Sequence, residues 1–414
     1  MTTSAEFSVT LEKLTYGGDA LGRMEDGRAV FVPFALPGET VRVRAVDERR
    51  GHVRAELLEV LTPSPHRITP RCRHFTVCGG CHYQHLDYPA QLAAKTDILR
   101  EQLQRLGGVA EPPLQPMVPS PRAWNYRNHV QFHLTGEGAL AYAAHQPTPQ
   151  APLTFIPISE CHLPEEMLND LWPNLQFDPG LGIERVSLRA GTAGETMLIL
   201  ESEETPALEI EAALSVVHLR DGESLVLAGE DAITLQVHGR PFRVSAASFF
   251  QVNTLMAEKM VTYLLERLSP SASATLLDVY CGVGLFSAFF APRVRRLVGI
   301  EISPAACEDF VLNLDEFENV ELYEGAAEDI LPGLSDSVDL AIVDPPRAGL
   351  DRRALDALLA RGPRRIAYVS CDPSTLGRDT ARLTAAGYRL VEVTPFDLFP
   401  QTYHIESISI FDRG

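Results

Sequence analysis

Cys371 stands where a strand should run out. Residues 366–369 form an apolar run of strand length, and Ser370, Cys371, Asp372 and Pro373 follow it. Proline cannot continue a hydrogen-bonded ladder, so the run stops there with Cys371 at the carboxyl end of a buried strand. In open α/β sheets that edge is where ligands bind. A cysteine so placed is a small buried filler or a nucleophile, and position alone leaves both readings open. Three earlier runs end in a similar way. Residues 276–279 lead into Asp278-Val279-Tyr280-Cys281-Gly282-Val283-Gly284-Leu285-Phe286, where two glycines let backbone approach a ligand at a helix N-terminus. The third glycine of a dinucleotide fingerprint is replaced by Ser287. The next run ends in Glu301, placed to accept ribose hydroxyls, and residues 338–343 end in Asp344-Pro345-Pro346-Arg347. Four strands that each end in a polar or reactive group on one sheet edge describe a site.

A second cluster is built of thiols. Cys72-x5-Cys78-x2-Cys81 lies in a loop-like stretch, and Gly79-Gly80 allow the tight backbone that brings both flanking thiols to one centre. Cys161 is the remaining cysteine outside the C-terminal third and supplies a fourth ligand. Four thiolates suit zinc or an iron–sulfur cluster, with His74, His82 or His85 able to replace a ligand if the metal is zinc. Cys281, in the glycine loop, and Cys307, in a helical pattern, read as structural.

The elements that must hold these groups divide the chain in three. Residues 7–14, 29–35, 40–46 and 53–61 are short β-rich runs separated by glycine turns, which predicts a small all-β barrel over 1–62. Residues 63–245 follow as a central region. It holds a helix over 87–107, a linker over 112–121 and a β-rich stretch from Tyr126 to about Val244. From 246 to 414 apolar strands alternate with helices, the pattern of a doubly wound α/β sheet. The stretch His404–Ile410 alternates polar and apolar residues, which predicts a strand with Glu406 sharing a face with His404 and Ser407.

Composition narrows the class. The 414 residues include 45% hydrophobic and 22% charged side chains, ordinary for a globular protein. No apolar run approaches a membrane span of roughly 18 residues. The N-terminus lacks the pattern of a secretory signal, so a cytoplasmic protein is expected. Seven cysteines, three of them in one cluster, do not form the framework of a secreted disulfide scaffold. The net charge of −19 argues against a nucleic-acid partner, but the charge is uneven. Residues 61–130 carry 8 Lys or Arg against 4 Asp or Glu, and residues 131–240 carry 4 against 17. A basic face near 61–130 is compatible with RNA, and the acidic stretch 200–213 reads as a solvated face.

These residues together resemble a known family. Tyr16-Gly17-Gly18-Asp19-Ala20-Leu21-Gly22-Arg23 and Val30-Phe31-Val32-Pro33-Phe34-Ala35-Leu36-Pro37-Gly38-Glu39 resemble the TRAM domain, an OB-like RNA-binding barrel. In such a barrel Arg42, Arg44, Arg49, Arg50 and Arg54 are candidates for tracking a strand. The C-terminal region resembles class I S-adenosylmethionine-dependent methyltransferases, specifically the RNA uracil-C5 group that forms 5-methyluridine. The matching stretches are Phe250-Gln251-Val252-Asn253, the glycine loop, Asp344-Pro345-Pro346-Arg347-Ala348-Gly349, and Ser370-Cys371-Asp372-Pro373 with Thr375-Leu376-x-Arg378-Asp379. The last is Asp397-x-Phe399-Pro400-Gln401-Thr402-x-His404-x-Glu406. The cysteine spacing resembles that of the iron–sulfur members, and Arg127-Asn128 match a short basic motif the family carries near its RNA.

The resemblance covers the whole chain and implies a Rossmann-like methyltransferase domain at 246–414, a TRAM barrel at 1–62 and a central iron–sulfur domain at 63–245. In this arrangement helix 87–107 packs on the catalytic domain. It implies Gln251, Tyr280, Glu301 and Asp344 as cofactor contacts, Cys371 as nucleophile, Glu406 as base, and a [4Fe–4S] cluster on Cys72, Cys78, Cys81 and Cys161. Leu285 departs from relatives that place an asparagine near the cofactor. Cysteine suits the role because it is partly ionised near neutral pH and strongly nucleophilic. Relatives with both barrel and cluster mostly act on 23S ribosomal RNA, which is the expected substrate, with tRNA as the alternative. Two rival readings fit less: a non-catalytic RNA-binding protein leaves Cys371 and Glu406 unexplained, and an amine methyltransferase has an aromatic residue where Arg347 stands.

Overall fold

Period-two burial builds the N-terminal barrel. In β1 (Glu6–Leu14), β4 (Thr40–Glu48) and β5 (His52–Thr62) the inward residues Val9, Leu11, Val41, Val43, Val53 and Ala55 are buried, and most of their neighbours are not. With β2 (Ala20–Arg23) and β3 (Ala29–Val32) they close a barrel in the order β1-β2-β3-β5-β4. Closure leaves no free sheet edge. β2 had no counterpart among the sequence-predicted strands, being short and interrupted by Gly22. The structure is a computed structural model that describes residues 5–148, 150–207, 213–334 and 337–414.

Helix α1 (Tyr88–Arg105) starts at Asp87, whose side chain accepts the Ala90 N–H, and runs two residues short of the expected end. The central sheet has seven strands. They are β6 (His129–Leu134), β7 (Leu140–Ala143) and β8 (Phe155–Pro157), then, after helix α2 (Glu166–Leu171), β9 (Ile183–Ala190), β10 (Thr196–Ser202), β11 (Ser215–Arg220) and β12 (Glu223–Ala228). Their order is β12-β11-β10-β9-β6-β7-β8. Within the acidic stretch, Glu203 and Glu204 are exposed, and residues 208–212 lie outside the described residues. A hairpin, β13 (Ala232–Val237) and β14 (Arg240–Ser245), turns at His238-Gly239 with both φ values positive, the geometry that matches strand twist.

The C-terminal layer starts with α3 (Thr254–Leu268). It continues through β15 (Thr275–Val279), α4 (Leu285–Phe290), β16 (Arg296–Glu301), α5 (Pro304–Asn313), β17 (Val320–Glu324), α6 (Ala327–Ile330), β18 (Leu340–Val343), α7 (Arg352–Arg361), β19 (Arg365–Ser370), α8 (Pro373–Ala385), β20 (Tyr388–Phe396) and β21 (Glu406–Arg413). The sheet order is β17-β16-β15-β18-β19-β21-β20, with β15 to β19 parallel and β21 antiparallel to both neighbours. Every residue of β15 and β18 is buried, as expected for parallel strands covered on both faces. Pro373 ends the strand region by opening α8, where its missing N–H costs nothing.

α1 joins the layers. Its buried stripe of Gln91, Lys95, Ile98, Leu99, Gln102 and Leu103 packs toward α8, and an added Cβ on Gly377 would lie 2.9 Å from the Gln102 carbonyl.

Candidate active site

The carboxyl ends of β15, β16, β18 and β19 open into one cavity of about 1060 Å³, and Gln251, Tyr280, Glu301, Asp344, Cys371 and Glu406 all line it. At the end of β16 Glu301 accepts N–H groups from Gly282 (2.9 Å), Ile302 (2.8 Å) and Ser303 (2.8 Å), which fixes its carboxylate between the glycine loop and the start of α5. Tyr280 has φ of +64°, an uncommon conformation for a non-glycine residue, held by its N–H bond to the Ile300 carbonyl. Gly284 has φ of +89° and packs so closely that an added Cβ would lie 2.4 Å from Leu314. Leu285 is buried at the first turn of α4 and offers no polar contact.

Gln251 is held from two sides. Asn128 donates to its backbone carbonyl (3.0 Å) and to Thr254 Oγ1 (3.0 Å), while Asn253 caps α3 and donates to the Leu398 carbonyl (3.2 Å). Asn128 is therefore a buried brace of the Gln251 backbone. Its neighbour Arg127 lies over the rings of Tyr126 (5.9 Å) and Phe399 (5.8 Å). The motif around Arg378 is also a brace. Buried Asp379 accepts from Leu350 N–H (2.9 Å), Tyr368 OH (2.9 Å) and Arg378 Nε (2.8 Å), which ties the 344–350 loop to α8.

The acids crowd one another. Burial, with Asp278 and Glu301 nearby, raises the Asp344 carboxyl to about 7, and burial raises Asp278 to about 7. Glu406 is pushed well above the usual carboxylate range by burial and then by Asp344, against the opposing pull of Arg347. The Cys371 thiol rises to about 12, first from burial and then from Glu406 and Asp344. This corrects the expectation of a partly ionised thiol: half-buried beside carboxylates, Cys371 rests protonated. The predicted face around Glu406 is also corrected. β21 starts at Glu406 itself, and His404 lines the cavity but Ser407 does not, because adjacent strand residues point to opposite sides.

The four cluster cysteines, all free, line a neighbouring cavity of about 480 Å³, and Arg347 and His404 line both cavities. Among the described residues, no group of three or more His, Cys, Asp or Glu side chains is arranged to hold a metal ion. On the barrel, Arg42 pairs with Glu59 (2.9 Å), Arg49 with Asp47 (3.1 Å) and Arg54 with Asp19 (3.1 Å), and Arg44 lies 3.6 Å from Glu6. The Arg42, Arg44 and Arg49 pairs lie at the surface and are weak, whereas the Arg54–Asp19 pair is half-buried.

Sequence reasoning missed the residues that hold the 397–406 loop. Lys95 and Asp397 are fully buried, with Nζ 2.6 Å from Oδ1, and Nζ also donates to the Phe399 carbonyl (3.0 Å). Gln91 donates to Gln401 Oε1 (3.0 Å), and the Gln401 carbonyl accepts from His82 and Tyr83 N–H. The available signal was a lysine on the apolar stripe of α1, one turn from Ile98 and Leu99.

This arrangement has close counterparts. Residues 211–413 match the family model described as tRNA (uracil-5-)-methyltransferase, and residues 2–58 match the TRAM domain. An uncharacterized RNA methyltransferase of Gloeobacter violaceus is 34% identical, with 98% of this chain and 96% of that protein covered. One of Aquifex aeolicus is 34% identical, with 98% of each chain covered. The crystal structure of Pyrococcus abyssi tRNA (uracil-54, C5)-methyltransferase, in complex with S-adenosyl-L-homocysteine, superposes with a TM-score of 0.70 at 23% identity. The match covers 98% of this chain and 100% of that one and shows the shared fold. The C-terminal layer is a Rossmann-like methyltransferase fold carrying a TRAM barrel at its N-terminal side. The chain belongs to the RNA (uracil-C5)-methyltransferase family, S-adenosylmethionine-dependent enzymes. No helix among the described residues is long and apolar enough to cross a membrane.

Proposed function

We propose that this chain methylates C5 of a uridine in 23S ribosomal RNA, with Cys371 as nucleophile and Glu406 as base. The observation that carries this reading is the single cavity shared by Cys371, Glu406 and the four expected cofactor contacts. S-adenosylmethionine supplies, when bound, a methyl group on a positively charged sulfur. The donor set suits it. Glu301 offers acceptors to ribose hydroxyls, and a wall holding Glu301 and Asp344 favours a cation and repels the phosphates of a dinucleotide.

Cys371 adds through sulfur to C6 of the uracil ring after its thiol proton has passed to solvent, so the thiolate lone pair forms the C–S bond. The electron pair displaced onto the ring makes C5 nucleophilic, and C5 takes the methyl group. Glu406 as carboxylate then removes the C5 proton, and the returning electron pair expels the Cys371 thiolate. The target base must leave its stack to reach this cavity, at a cost of a few kcal/mol.

The barrel together with the cysteine set favours 23S ribosomal RNA by resemblance. A tRNA uridine is the second reading, supported by the description of the matching family model and by the substrate named for the Pyrococcus neighbour. Cys72, Cys78, Cys81 and Cys161 would hold a [4Fe–4S] cluster, supported by their common cavity and soft thiol donors. Bound there, the cluster would tie the 72–81 loop to Cys161. Anaerobic purification should give iron and sulfide in equal amounts, and one zinc without sulfide would overturn the cluster.

The test of the reaction is Glu406→Gln with C5-tritiated 23S and tRNA transcripts. The variant should accumulate a protein–RNA adduct stable on a denaturing gel, with the preferred RNA, and should release little tritium. Rapid release of methylated product would place the base elsewhere.

A further inference from the structure

The loop joining β1 to β2 leaves the barrel and reaches the exit of β19. Its turn is tight: Gly18 N–H donates to the Thr15 carbonyl (3.1 Å), Thr15 N–H to the Asp19 carbonyl (2.9 Å), and Gly17 and Gly18 have φ of +109° and +97°. Tyr16 projects from it, and its hydroxyl donates to Asp372 Oδ2 at 2.9 Å. The other carboxylate oxygen, Oδ1, accepts from Ser374 N–H (2.8 Å) and Thr375 N–H (3.1 Å), so Asp372 caps α8 and anchors the barrel at once. The docking is close. The Tyr16 ring meets Tyr403 edge-on at 5.6 Å, and an added Cβ on Gly18 would lie 3.1 Å from His82.

Asp372 immediately follows Cys371. On the other side, Ser370 Oγ donates to the Asp372 carbonyl (3.0 Å) and accepts its N–H (3.3 Å). The backbone carrying the thiol is thus pinned at the strand end, at the helix cap and, through one hydroxyl, by the barrel. We propose that Tyr16 is a positioning residue for the nucleophile, holding Asp372 so that Cys371 points into the cavity it shares with Glu406. The barrel then takes part in the reaction as well as in RNA binding. This inference rests on the reading of Cys371 as nucleophile.

Tyr16→Phe keeps the ring against Tyr403 and removes only the hydroxyl. Loss of a hydrogen bond to a carboxylate should slow single-turnover methylation about tenfold and lower the melting temperature by a few degrees, with RNA affinity unchanged. It also leaves Asp372 less neutralised. Of the charged groups facing Cys371, which are Glu406 from β21, Asp344 and Arg347 from the β18 exit, and Asp372, only the last changes. The pH profile of Cys371 alkylation should therefore move upward. Asp372→Ala removes the acceptor itself, so the double variant should be no slower than Asp372→Ala alone. Wild-type rates in Tyr16→Phe, or additive losses in the double variant, would overturn the inference. Turnover by Cys371→Ala would instead sink the reading beneath it, so the two failures are separable.

Discussion

The resting state of Cys371 can be measured without RNA or cofactor. An ordinary thiol titrates at 9.0, whereas burial and neighbouring carboxylates place this one at about 12. At pH 8 its thiolate share is then lower by roughly three orders of magnitude. A more basic thiolate is intrinsically more reactive, with a Brønsted slope of about 0.4–0.5, which returns roughly twentyfold. Alkylation by iodoacetamide at pH 8 should therefore be about fiftyfold slower than for an unperturbed thiol. Its rate should still climb tenfold per pH unit at pH 10, where an unperturbed thiol has levelled off. Mass spectrometry of the peptide carrying Cys371 separates it from the other six cysteines. Glu406→Gln removes a negative neighbour and should shift the profile to lower pH, and Arg347→Met removes a cation and should shift it higher. Steric shielding slows the reaction without moving the inflection, so the inflection decides. Levelling near pH 9 in the wild type, or a Glu406→Gln profile identical to it, would refute the electrostatic account.

Cys371→Ala should abolish both turnover and adduct while retaining RNA in a filter-binding assay; methylation by that variant removes the thiol from the reaction. Asp344 has a folded-state value of about 7 against 3.8 ordinarily, so the folded chain binds this proton more tightly and loses stability as pH rises through that window. Asp344→Asn should melt higher than the wild type at pH 8 but not at pH 4, and should bind S-adenosylmethionine more weakly; parallel melting curves across that range would contradict it. Lys95→Met leaves Asp397 buried without its cation and should cost about 3–5 kcal/mol in urea unfolding, with Lys95→Met/Asp397→Leu recovering much of it. A single-variant loss under about 1 kcal/mol would show that water or another partner compensates.

What the sequence made legible follows from where each signal is stored. β15, β18 and β19 are covered on both faces, so each reads as an unbroken apolar run, and the polar residue that ends it marks the ligand edge. The barrel strands read from alternation, except β2, whose first three residues are all buried and so show no period. Asp344 and Cys371 could therefore be placed at one edge before any coordinates. The supporting network could not be. Tyr16 meets Asp372 across 356 residues and Lys95 meets Asp397 across 302, and a partner that distant imposes no local pattern on either residue. The role of Asn128 as a brace was likewise not legible, because its partner, the Gln251 carbonyl, lies 123 residues away. The thiol shows the same limit at the level of chemistry. Residue type predicts a reactive cysteine, but its ionisation is set first by burial and then by Glu406 and Asp344, which reach it from two other strands. A thiol that keeps its proton at rest is also a stable arrangement for a cysteine at an open sheet edge. A thiol near 12 is a poor target for stray electrophiles.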